Sequence, residues 1–273
     1  MAPEANRDHV VALVEKEAKK GTDLVLLPEL VNTGYLTGCG TADGVKQNFA
    51  SRYVAAAELV PGPTTNMLAE IANSYRTHIV IGLAELHPNI PDTLYNSSVL
   101  IGPENLLKIH HKVHLPNYER FFFYSGSTID VYETEIGSLG LMICYDLRFP
   151  EHARVLALNG VEIMCVSWAG SGESVSDLYH IKYRAFTRAQ ENGCFVLVCN
   201  RVGEEEGQRF IGRSVVAAPH GEIIAYADHD EETVLRAELK SNTLLEYRAN
   251  LNIFRDRRPN LYQDIVRSDD YLL

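Results

Sequence analysis

The feature that most constrains the fold is a repeated alternation of short apolar runs with helix-like segments. The runs VEIMCVSW (161–168) and CFVLVCN (194–200) have strand length, and LYHIKYRAFTRAQENG (178–193) between them has helical character. Apolar runs of this kind are typical of strands that are buried on both faces of a sheet. Strands that alternate with helices favour a layered α/β domain.

The same alternation continues along the chain and predicts a single domain over residues 1–273. No repeat or low-complexity linker divides the chain. The stretch GEEEG (203–207) is predicted as a polar loop, and the tail from about 241 to 273 shows no core period. The periodicity and the turn residues predict helices at about 6–20, 64–76, 149–160 and 178–193, and strands at 23–29, 78–86, 95–102, 106–113, 138–144, 161–168, 194–200, 211–218, 222–227 and 233–239.

Composition limits the partners. The formal net charge of −11 disfavours nucleic acid and anionic membranes, because both reward clustered Lys and Arg. The sequence shows no run of about 18 apolar residues that would span a bilayer, and no leader that resembles a signal peptide. An odd number of cysteines, at irregular spacing and without a CxxC pair, predicts reduced thiols in a cytoplasmic protein: Cys39, Cys144, Cys165, Cys194 and Cys199.

Cys144 ends the predicted strand SLGLMIC and is followed at once by polar residues and a helix. A thiol at a strand–turn–helix junction lies at the sheet edge, where backbone N–H groups near a helix start stabilise negative charge. This position suits a nucleophile, although a buried structural role is commoner for a free cysteine. Cys165, Cys194 and Cys199 fit the structural role, since each lies in or beside an apolar strand.

Glu29 ends another apolar strand, LVLLPE. Burial there would raise the pKa of its carboxyl toward a range that suits a general base. A structural role as a cap or salt-bridge partner at the sheet edge is equally open from this stretch alone.

Lys112 lies in IHHKVHLP, where three histidines invite comparison with a metal site. The two-residue period of a strand places His110, Lys112 and His114 on one face and His111 on the other. An ammonium between two ligands repels a cation, and the sequence has no HExxH or paired Cys/His spacing. We therefore predict no metal and no cofactor; a His-cluster metalloenzyme is the alternative that bound metal would reveal.

Three segments together resemble the signature regions of the nitrilase, or carbon–nitrogen hydrolase, superfamily. They are LLPELVNTGY around Glu29, HHKVHLPNYE around Lys112 and GLMICYDLRFPE around Cys144, and their order and spacing also match. With the tail motif RDRRPNLY, the resemblance covers nearly the whole chain. It implies a four-layer α-β-β-α sandwich that commonly forms a homodimer, with the tail at about 241–273 in dimer contacts.

The resemblance also implies a mechanism. Members of the family hydrolyse nitriles, amides or N-carbamoyl compounds without a metal, through a Glu–Lys–Cys triad and a Cys thioester. Carried over to this sequence, Glu29 is the general base, Lys112 the cation that stabilises the transition state, and Cys144 the nucleophile. The backbone N–H of Tyr145 joins Lys112 as an oxyanion donor, and one such donor is typically worth about 3 kcal/mol of barrier.

The resemblance extends to two further residues and has one departure. Glu119 is expected to hold Lys112 or the substrate. Trp168 is expected to line the substrate pocket, with ordinary packing as the alternative. Many relatives place a core strand before the first helix, whereas this chain opens almost directly in that helix. The usual first strand is missing here, so either the start is truncated or the strand at 23–29 becomes a sheet edge or pairs differently.

The sequence thus predicts the hydrolysis of a small amide or N-carbamoyl compound, with release of ammonia or an amine and an acid. A nitrilase that acts on a small nitrile and a non-catalytic binding protein of the same fold are the alternatives. The expected partners are the small-molecule substrate and a second copy of the chain, with no nucleic acid and no membrane.

Overall fold

The computed structural model describes residues 2–35, 49–172 and 174–267, so Cys39 lies outside the described residues. The helices are α1 Pro3–Ala18, α2 Phe49–Ala56, α3 Pro63–Tyr75, α4 Pro150–Leu158, α5 Val175–Asn192, α6 Ser241–Asn250 and α7 Ile253–Asp256. The strands are β1 Leu24–Leu26, β2 His78–Leu86, β3 Leu94–Ile101, β4 Leu107–His111, β5 Val131–Thr134, β6 Gly137–Ile143, β7 Ile163–Trp168, β8 Phe195–Asn200, β9 Val202–Glu205, β10 Gln208–Ile211, β11 Val215–Ala217 and β12 Ile223–Tyr226.

The strands of the described residues form two main sheets and one hairpin. The first sheet has the order β1-β2-β3-β4, with β1 parallel to β2 and the other pairs antiparallel. The second has the order β12-β11-β8-β7-β6-β5, with a parallel centre of β6, β7 and β8. The apolar runs of these central strands suit their burial on both faces.

The side chains of each strand alternate between two cores. On β2, Val80 packs into a core with Leu141 and Cys165 of the second sheet. Its neighbours Ile79 and Ile81 pack against the apolar residues of α1 and α3. Residues of β7 and β8 on the far side of the second sheet pack against α4 and α5. The layers therefore follow the order helix, sheet, sheet, helix, and the predicted α/β architecture is confirmed.

The strand at 23–29 lies at a sheet edge, as expected. Within the described residues, β1 pairs with β2 alone. Along its open edge runs a cavity of about 770 Å³, whose lining includes residues 24–28 and residues 233–239.

The strand predicted at 233–239 is wrong. This segment has no strand partner, and its backbone makes no hydrogen bond to the backbone of another described residue. It is attached to α1 through its side chains instead, since Arg236 binds the Glu17 carboxylate with Nη2 at 2.6 Å. An apolar, strand-like pattern becomes a strand only where a neighbouring strand offers its edge, and here the facing edge lies across the cavity.

Other differences concern short or polar elements. Residues 203–207 are not a simple loop but the tip of the β9–β10 hairpin, in which Glu205 pairs with Gln208. The sequence prediction missed α2 and β5 because both are short: α2 has only eight residues and β5 has four, VYET. None of the helices in the described stretches has the length and apolarity needed to cross a membrane.

Gly82 in β2 fixes how closely the segment after β1 can approach. A Cβ at this position would lie 2.6 Å from both Glu29 Cα and Pro28 O. The backbones are also hydrogen bonded, with Gly82 N donating to Pro28 O at 3.1 Å and Val31 N donating to Gly82 O at 2.8 Å. The absence of a side chain at Gly82 thus sets the position of Glu29.

We predict that Gly82→Ala lowers the free energy of unfolding by about 3 kcal/mol, because the added methyl forces the backbone at Pro28 and Glu29 outward. Urea unfolding measures the change. Ser98→Ala is the matched control, since Ser98 pairs with Gly82 in the neighbouring strand and its buried hydroxyl has no hydrogen-bond partner among the described residues. The control should stay within about 0.5 kcal/mol of the wild type. Equal stability of both variants would contradict this account.

Candidate active site

The structure brings together four of the residues predicted from the sequence. Glu29 follows β1, Lys112 follows β4, Glu119 lies in a 3₁₀ turn at Asn117–Phe121, and Cys144 directly follows β6. Lys112 Nζ donates to Glu29 Oε1 at 2.7 Å and to Glu119 Oε1 at 2.8 Å. The Cys144 thiol interacts electrostatically with all three charged groups. The cluster combines a thiol, an ammonium and two carboxylates.

Lys112 lies at the centre of this cluster and has no solvent exposure. Burial alone would lower the pKa of the Lys112 ammonium, but the negative charges of Glu119 and Glu29 outweigh it and hold the pKa well above its ordinary value. The backbone of Lys112 is also fixed, because its N–H donates to Asn96 O and its carbonyl accepts from Gly126 N, both at 2.8 Å. The site therefore holds a permanent, immobile cation.

Glu29 is fully buried, and three donors surround its carboxylate. Oε1 accepts from Lys112 Nζ and from Asn96 Nδ2, both at 2.7 Å. Oε2 accepts from the backbone N–H of Ala169 at 2.9 Å. That N–H also lies against the Cys144 thiol, where it favours the thiolate. Ala169 N–H therefore marks the place where the Glu29 carboxylate and the sulfur meet.

Glu119 is the second carboxylate that contacts Lys112. Its Oε1 also accepts from the Tyr35 hydroxyl at 2.6 Å, and Asn96 Nδ2 lies 3.5 Å from its Oε2. Burial raises the pKa of the Glu119 carboxyl, Lys112 opposes that shift and Glu29 adds to it. Glu119 and Tyr35 thus close the Lys112 side of the cluster.

Cys144 begins a 3₁₀ turn, Cys144–Arg148, in a conformation that is rare for a residue with a side chain. Its φ of 44° lies in the left-handed region, which costs on the order of 1–3 kcal/mol and often marks a functional position. The first N–H groups of a helical turn have no acceptor within the turn, and Tyr145 N–H is one of them. Burial and the charge of Glu29 raise the pKa of the Cys144 thiol well above its ordinary value, although Lys112 opposes this. The resting sulfur is therefore a neutral thiol.

The remaining described cysteines differ from Cys144 in their surroundings. Cys165 and Cys194 are fully buried in apolar cores, and burial raises the pKa of both thiols to about 12. All four described cysteines are free thiols.

Trp168 contacts the cluster with its backbone, whereas its side chain points into the core. Its carbonyl accepts a long bond of 3.5 Å from Glu29 N–H. Its indole is buried in the core behind the second sheet and lies 5.6 Å from the ring of His180. Its contact with a substrate stays a prediction.

Asp146 is a buried residue that the sequence reasoning missed. Its Oδ1 accepts from His114 N at 2.9 Å and from His114 Nδ1 at 2.8 Å, and its Oδ2 accepts from Ile143 N at 3.1 Å and faces His110 Nε2 at 3.4 Å. Burial opposes the charge, but the hydrogen bonds from the two histidines hold the pKa of Asp146 well below its usual range. A carboxyl two residues after the cysteine, in the turn CYDLR, was the signal available in the sequence.

His110, Asp146 and His152 place three buried groups of metal-ligand type close together. The two Asp146 oxygens already accept hydrogen bonds from the backbone at His114 and Ile143 and from the His114 ring. This pattern describes a hydrogen-bonded carboxylate. The expectation that the protein works without a metal stays a prediction.

Asn96 and Tyr35 were also missed. Asn96 contacts both carboxylates and holds the Lys112 backbone, and the signal for it was a polar residue inside the apolar strand YNSSVLIG. Tyr35 gave no comparable signal, because only the folded chain brings NTGY next to Glu119.

Two arginines flank the Cys144 side of the cluster. Arg184 on α5 interacts electrostatically with Cys144 and with Arg148, and its Nη1 is buried without a hydrogen-bond partner among the described residues. Burial and the charge of Arg148 lower the pKa of the Arg184 guanidinium. Arg148 ends the Cys144–Arg148 turn and lies over the Tyr145 ring, 5.6 Å from its centroid. Positive charge therefore accumulates beside the thiol.

Comparison with known proteins identifies the family of this chain. A family model described as carbon-nitrogen hydrolase matches residues 1–249. The chain belongs to the carbon–nitrogen hydrolase family. The family resemblance, the predicted α/β fold and the assignment as an enzyme are thereby confirmed.

The similarity of this carbon–nitrogen hydrolase to its relatives extends over nearly the whole chain. It is 35% identical over 269 residues to a nitrilase of Pyrococcus abyssi, covering 96% of this chain and 94% of that one. It is 31% identical over 281 residues to a chloroplastic omega-amidase of Arabidopsis thaliana, covering 97% of this chain and 72% of that one. A crystal structure of a carbon–nitrogen hydrolase from Helicobacter pylori G27 matches with a TM-score of 0.83 and 26% identity, over 98% and 94% of the two chains.

The buried ring of His152 predicts how the stability of the protein depends on pH. It is 1% exposed, and neither ring nitrogen has a hydrogen-bond partner among the described residues. Burial lowers the pKa of the His152 ring from 6.5 to about 4; Asp146 opposes this shift, whereas His110 and His114 add to it. The unfolded chain therefore binds this proton first as the pH falls. Stability is lost between pH 6.5 and 4.

We expect this titration to remove about 3 kcal/mol of unfolding free energy over that window. Urea unfolding at pH 7 and at pH 4.5 measures the loss in the wild type and in His152→Leu. The variant should lose less, because leucine binds no proton, and the difference between the two proteins isolates His152 from other groups. Equal losses in both proteins would refute the assignment.

Proposed function

We propose that this chain is a cysteine amidohydrolase that cleaves the carbon–nitrogen bond of a small amide, with Glu29, Lys112 and Cys144 as its catalytic triad. One observation carries the proposal. A buried ammonium lies between two carboxylates and beside a neutral thiol in a rare backbone conformation. The thiol supplies the nucleophile, the carboxylate a base and the ammonium a stabiliser of negative charge.

In the first half-reaction, Cys144 Sγ attacks the carbonyl carbon while Glu29 takes the thiol proton. The neutral resting thiol requires such a base. The carbonyl oxygen becomes an oxyanion, with Lys112 Nζ and Tyr145 N–H as donors. The carbon–nitrogen bond then breaks, the nitrogen takes the proton from Glu29 and leaves as ammonia or an amine, and a Cys144 thioester remains.

In the second half-reaction, Glu29 takes a proton from water, and the hydroxide attacks the thioester carbon. The carbon–sulfur bond breaks, the sulfur regains its proton, and the acid is released. Lys112 transfers no proton in either half-reaction, because the two carboxylates hold it as a cation. It stabilises the charge that develops on the oxygen.

Glu29 is a better base than Glu119 because of what surrounds each carboxylate. Glu29 Oε2 shares the Ala169 N–H with the thiol, so this oxygen is turned toward the sulfur. Glu119 Oε1 instead accepts from Lys112 and from Tyr35. We assign Glu119 to holding Lys112.

The arginines favour an amide that also carries an anionic group. A buried, unpaired guanidinium nitrogen at Arg184 offers a charge-assisted hydrogen bond that a carboxylate would accept, and Arg148 beside it adds a second positive charge. The name omega-amidase of the Arabidopsis relative agrees with an amide as the scissile group. N-carbamoyl compounds and small nitriles are the alternative substrates.

We also propose a cytoplasmic homodimer. The free thiols fit a reducing compartment. Apolar side chains of α5 and of the C-terminal tail are exposed, with Tyr183 at 63%, Leu261 at 66% and Val266 at 82%, and a second copy would cover them. Residues 268–273 of the tail lie outside the described residues.

Ammonia release from aliphatic amides, N-carbamoyl amines and nitriles tests the reaction. Cys144→Ala should reduce release to background, and Glu29→Gln should lower kcat about 1,000-fold because the base is lost. Glu119→Gln should lower it less, and Ser98→Ala, a buried change outside the triad, should leave it unchanged. Equal rates in the wild type and Cys144→Ala would refute the triad. Uniform alkylation of all five cysteines by iodoacetamide would instead favour a binding protein.

Replacing Arg184 tests whether the substrate carries an anionic group that this arginine binds. Arg184→Met should lower kcat/KM about 10- to 100-fold for amides that bear a carboxylate, because a charge-assisted hydrogen bond is lost. Uncharged amides of the same length should be affected less than threefold. Arg154→Met is the matched control, since Arg154 Nη1 is also buried and unpaired but Arg154 has no interaction with Cys144. An equal fall for charged and uncharged amides would contradict the proposal.

A further inference from the structure

The nucleophile and the lysine come from different sheets. Lys112 follows β4 of the first sheet, whereas Cys144 follows β6 of the second. Catalysis needs the sulfur and the ammonium to stay in register, and a displacement of about 1 Å can cost 100-fold in rate. Hydrogen bonds that cross between the sheets near these two residues are therefore candidates for positioning groups.

Asp146 makes such a crossing with one buried carboxylate. Oδ2 accepts from Ile143 N–H, which immediately precedes Cys144, and Oδ1 accepts from His114 N–H, two residues after Lys112. The Asp146 backbone carbonyl also accepts from Phe149 N–H at 3.1 Å. Asp146 thus anchors both ends of the Cys144–Arg148 turn. It also ties that turn to residues 112–114, the lysine segment.

The His114 ring reinforces the same link. Its Nδ1 donates to Asp146 Oδ1 at 2.8 Å, and the ring stacks on Phe149 with centroids 3.7 Å apart and an angle of 10°. Phe149 directly follows the Cys144–Arg148 turn. The lysine segment therefore contacts the turn twice, once through the carboxylate and once through the aromatic stack.

The turn needs this support because Cys144 is held at a positive φ. A non-glycine residue keeps such a conformation only when its surroundings over-determine it. The bond to Ile143 N–H fixes the residue before the cysteine, and the bond from Phe149 N–H fixes the residue after the turn. Without the carboxylate, the turn loses its side-chain anchor and its link to His114 together.

We propose that Asp146 is a positioning residue that holds Cys144 in register with Lys112 across the two sheets. This inference rests on the function proposed above, in which Cys144 is the nucleophile. Asp146 touches neither the substrate nor the reacting atoms and acts through the turn. Its carboxylate must accept on both oxygens at once, which an amide of the same shape does not do.

Asp146→Asn tests the inference. We expect kcat to fall about 100-fold with KM changed less than threefold, because the variant misplaces the nucleophile and leaves the substrate contacts intact. The alkylation rate of Cys144 by iodoacetamide, followed by mass spectrometry, should fall at least fivefold. This second readout needs no substrate, so it decides the positioning role even if the wild type hydrolyses none of the amides tested.

A control separates positioning from general destabilisation. Leu68→Ala opens a cavity in the core between α3 and the first sheet, away from the site, and should cost stability without moving Cys144. Its kcat and its Cys144 alkylation rate should stay within threefold of the wild type. Equal losses in Leu68→Ala and Asp146→Asn would overturn the inference, as would wild-type kcat and alkylation in Asp146→Asn.

If Asp146→Asn does not fold, His114→Ala tests the positioning role of Asp146 instead. It removes the ring hydrogen bond and the stack on Phe149 but keeps the backbone N–H that Asp146 accepts. We expect kcat to fall about 10-fold and the rate of Cys144 alkylation about threefold. Both effects are smaller than in Asp146→Asn, because the hydrogen bond from the His114 backbone to Asp146 remains. Wild-type values for both in a folded His114→Ala would overturn the inference.

Discussion

The ion cluster around Lys112 is the interaction on which the rest of the site depends. An ammonium with no solvent exposure is tolerated because two carboxylates contact it at 2.7 and 2.8 Å. Removing one partner of a buried ion pair commonly costs about 3–5 kcal/mol, since the other charge is left uncompensated. Glu29, Lys112 and Glu119 must therefore be present together. Tyr35 and Asn96 donate to further atoms of the two carboxylates and extend the network around Lys112.

The cluster also explains how two packed sheets build one site. Glu29, Asn96 and Lys112 come from the first sheet, whereas Cys144 and Ala169 come from the second. Hydrogen bonds across the interface hold the two sets together, including Ala169 N–H to Glu29 and Ser167 Oγ to Leu27 O at 2.9 Å. Gly82 allows the Glu29 segment to lie against β2 without a side chain between them. The position of the Glu29 carboxylate near the Cys144 thiol is therefore set by two contacts. The Glu29 backbone lies close to Gly82, and the carboxylate accepts a hydrogen bond from Ala169 N–H of the other sheet.

Much of this could be predicted from the sequence because strands end where their apolar runs end. Glu29, Lys112 and Cys144 each follow a strand, and the apolar runs located those strands to within a few residues. The prediction at 233–239 was wrong because an apolar pattern does not show whether a partner edge is present. Asp146 and Tyr35 were missed for a related reason, since hydrogen bonds between residues far apart in the chain leave no local periodicity.

The sequence by itself determined the alternation of strands and helices, the chemical types at the strand ends and the family to which they belong. Local patterns suffice for the first two, because burial and turn formation act on neighbouring residues, whereas the family resemblance rests on the three motifs around Glu29, Lys112 and Cys144. Only the tertiary structure decided which donors each carboxylate accepts from, and that His110 and His114 gather around the single buried carboxylate of Asp146. Those distinctions depend on the packing of two sheets against each other, which places single oxygen atoms within hydrogen-bond distance of donors from distant segments.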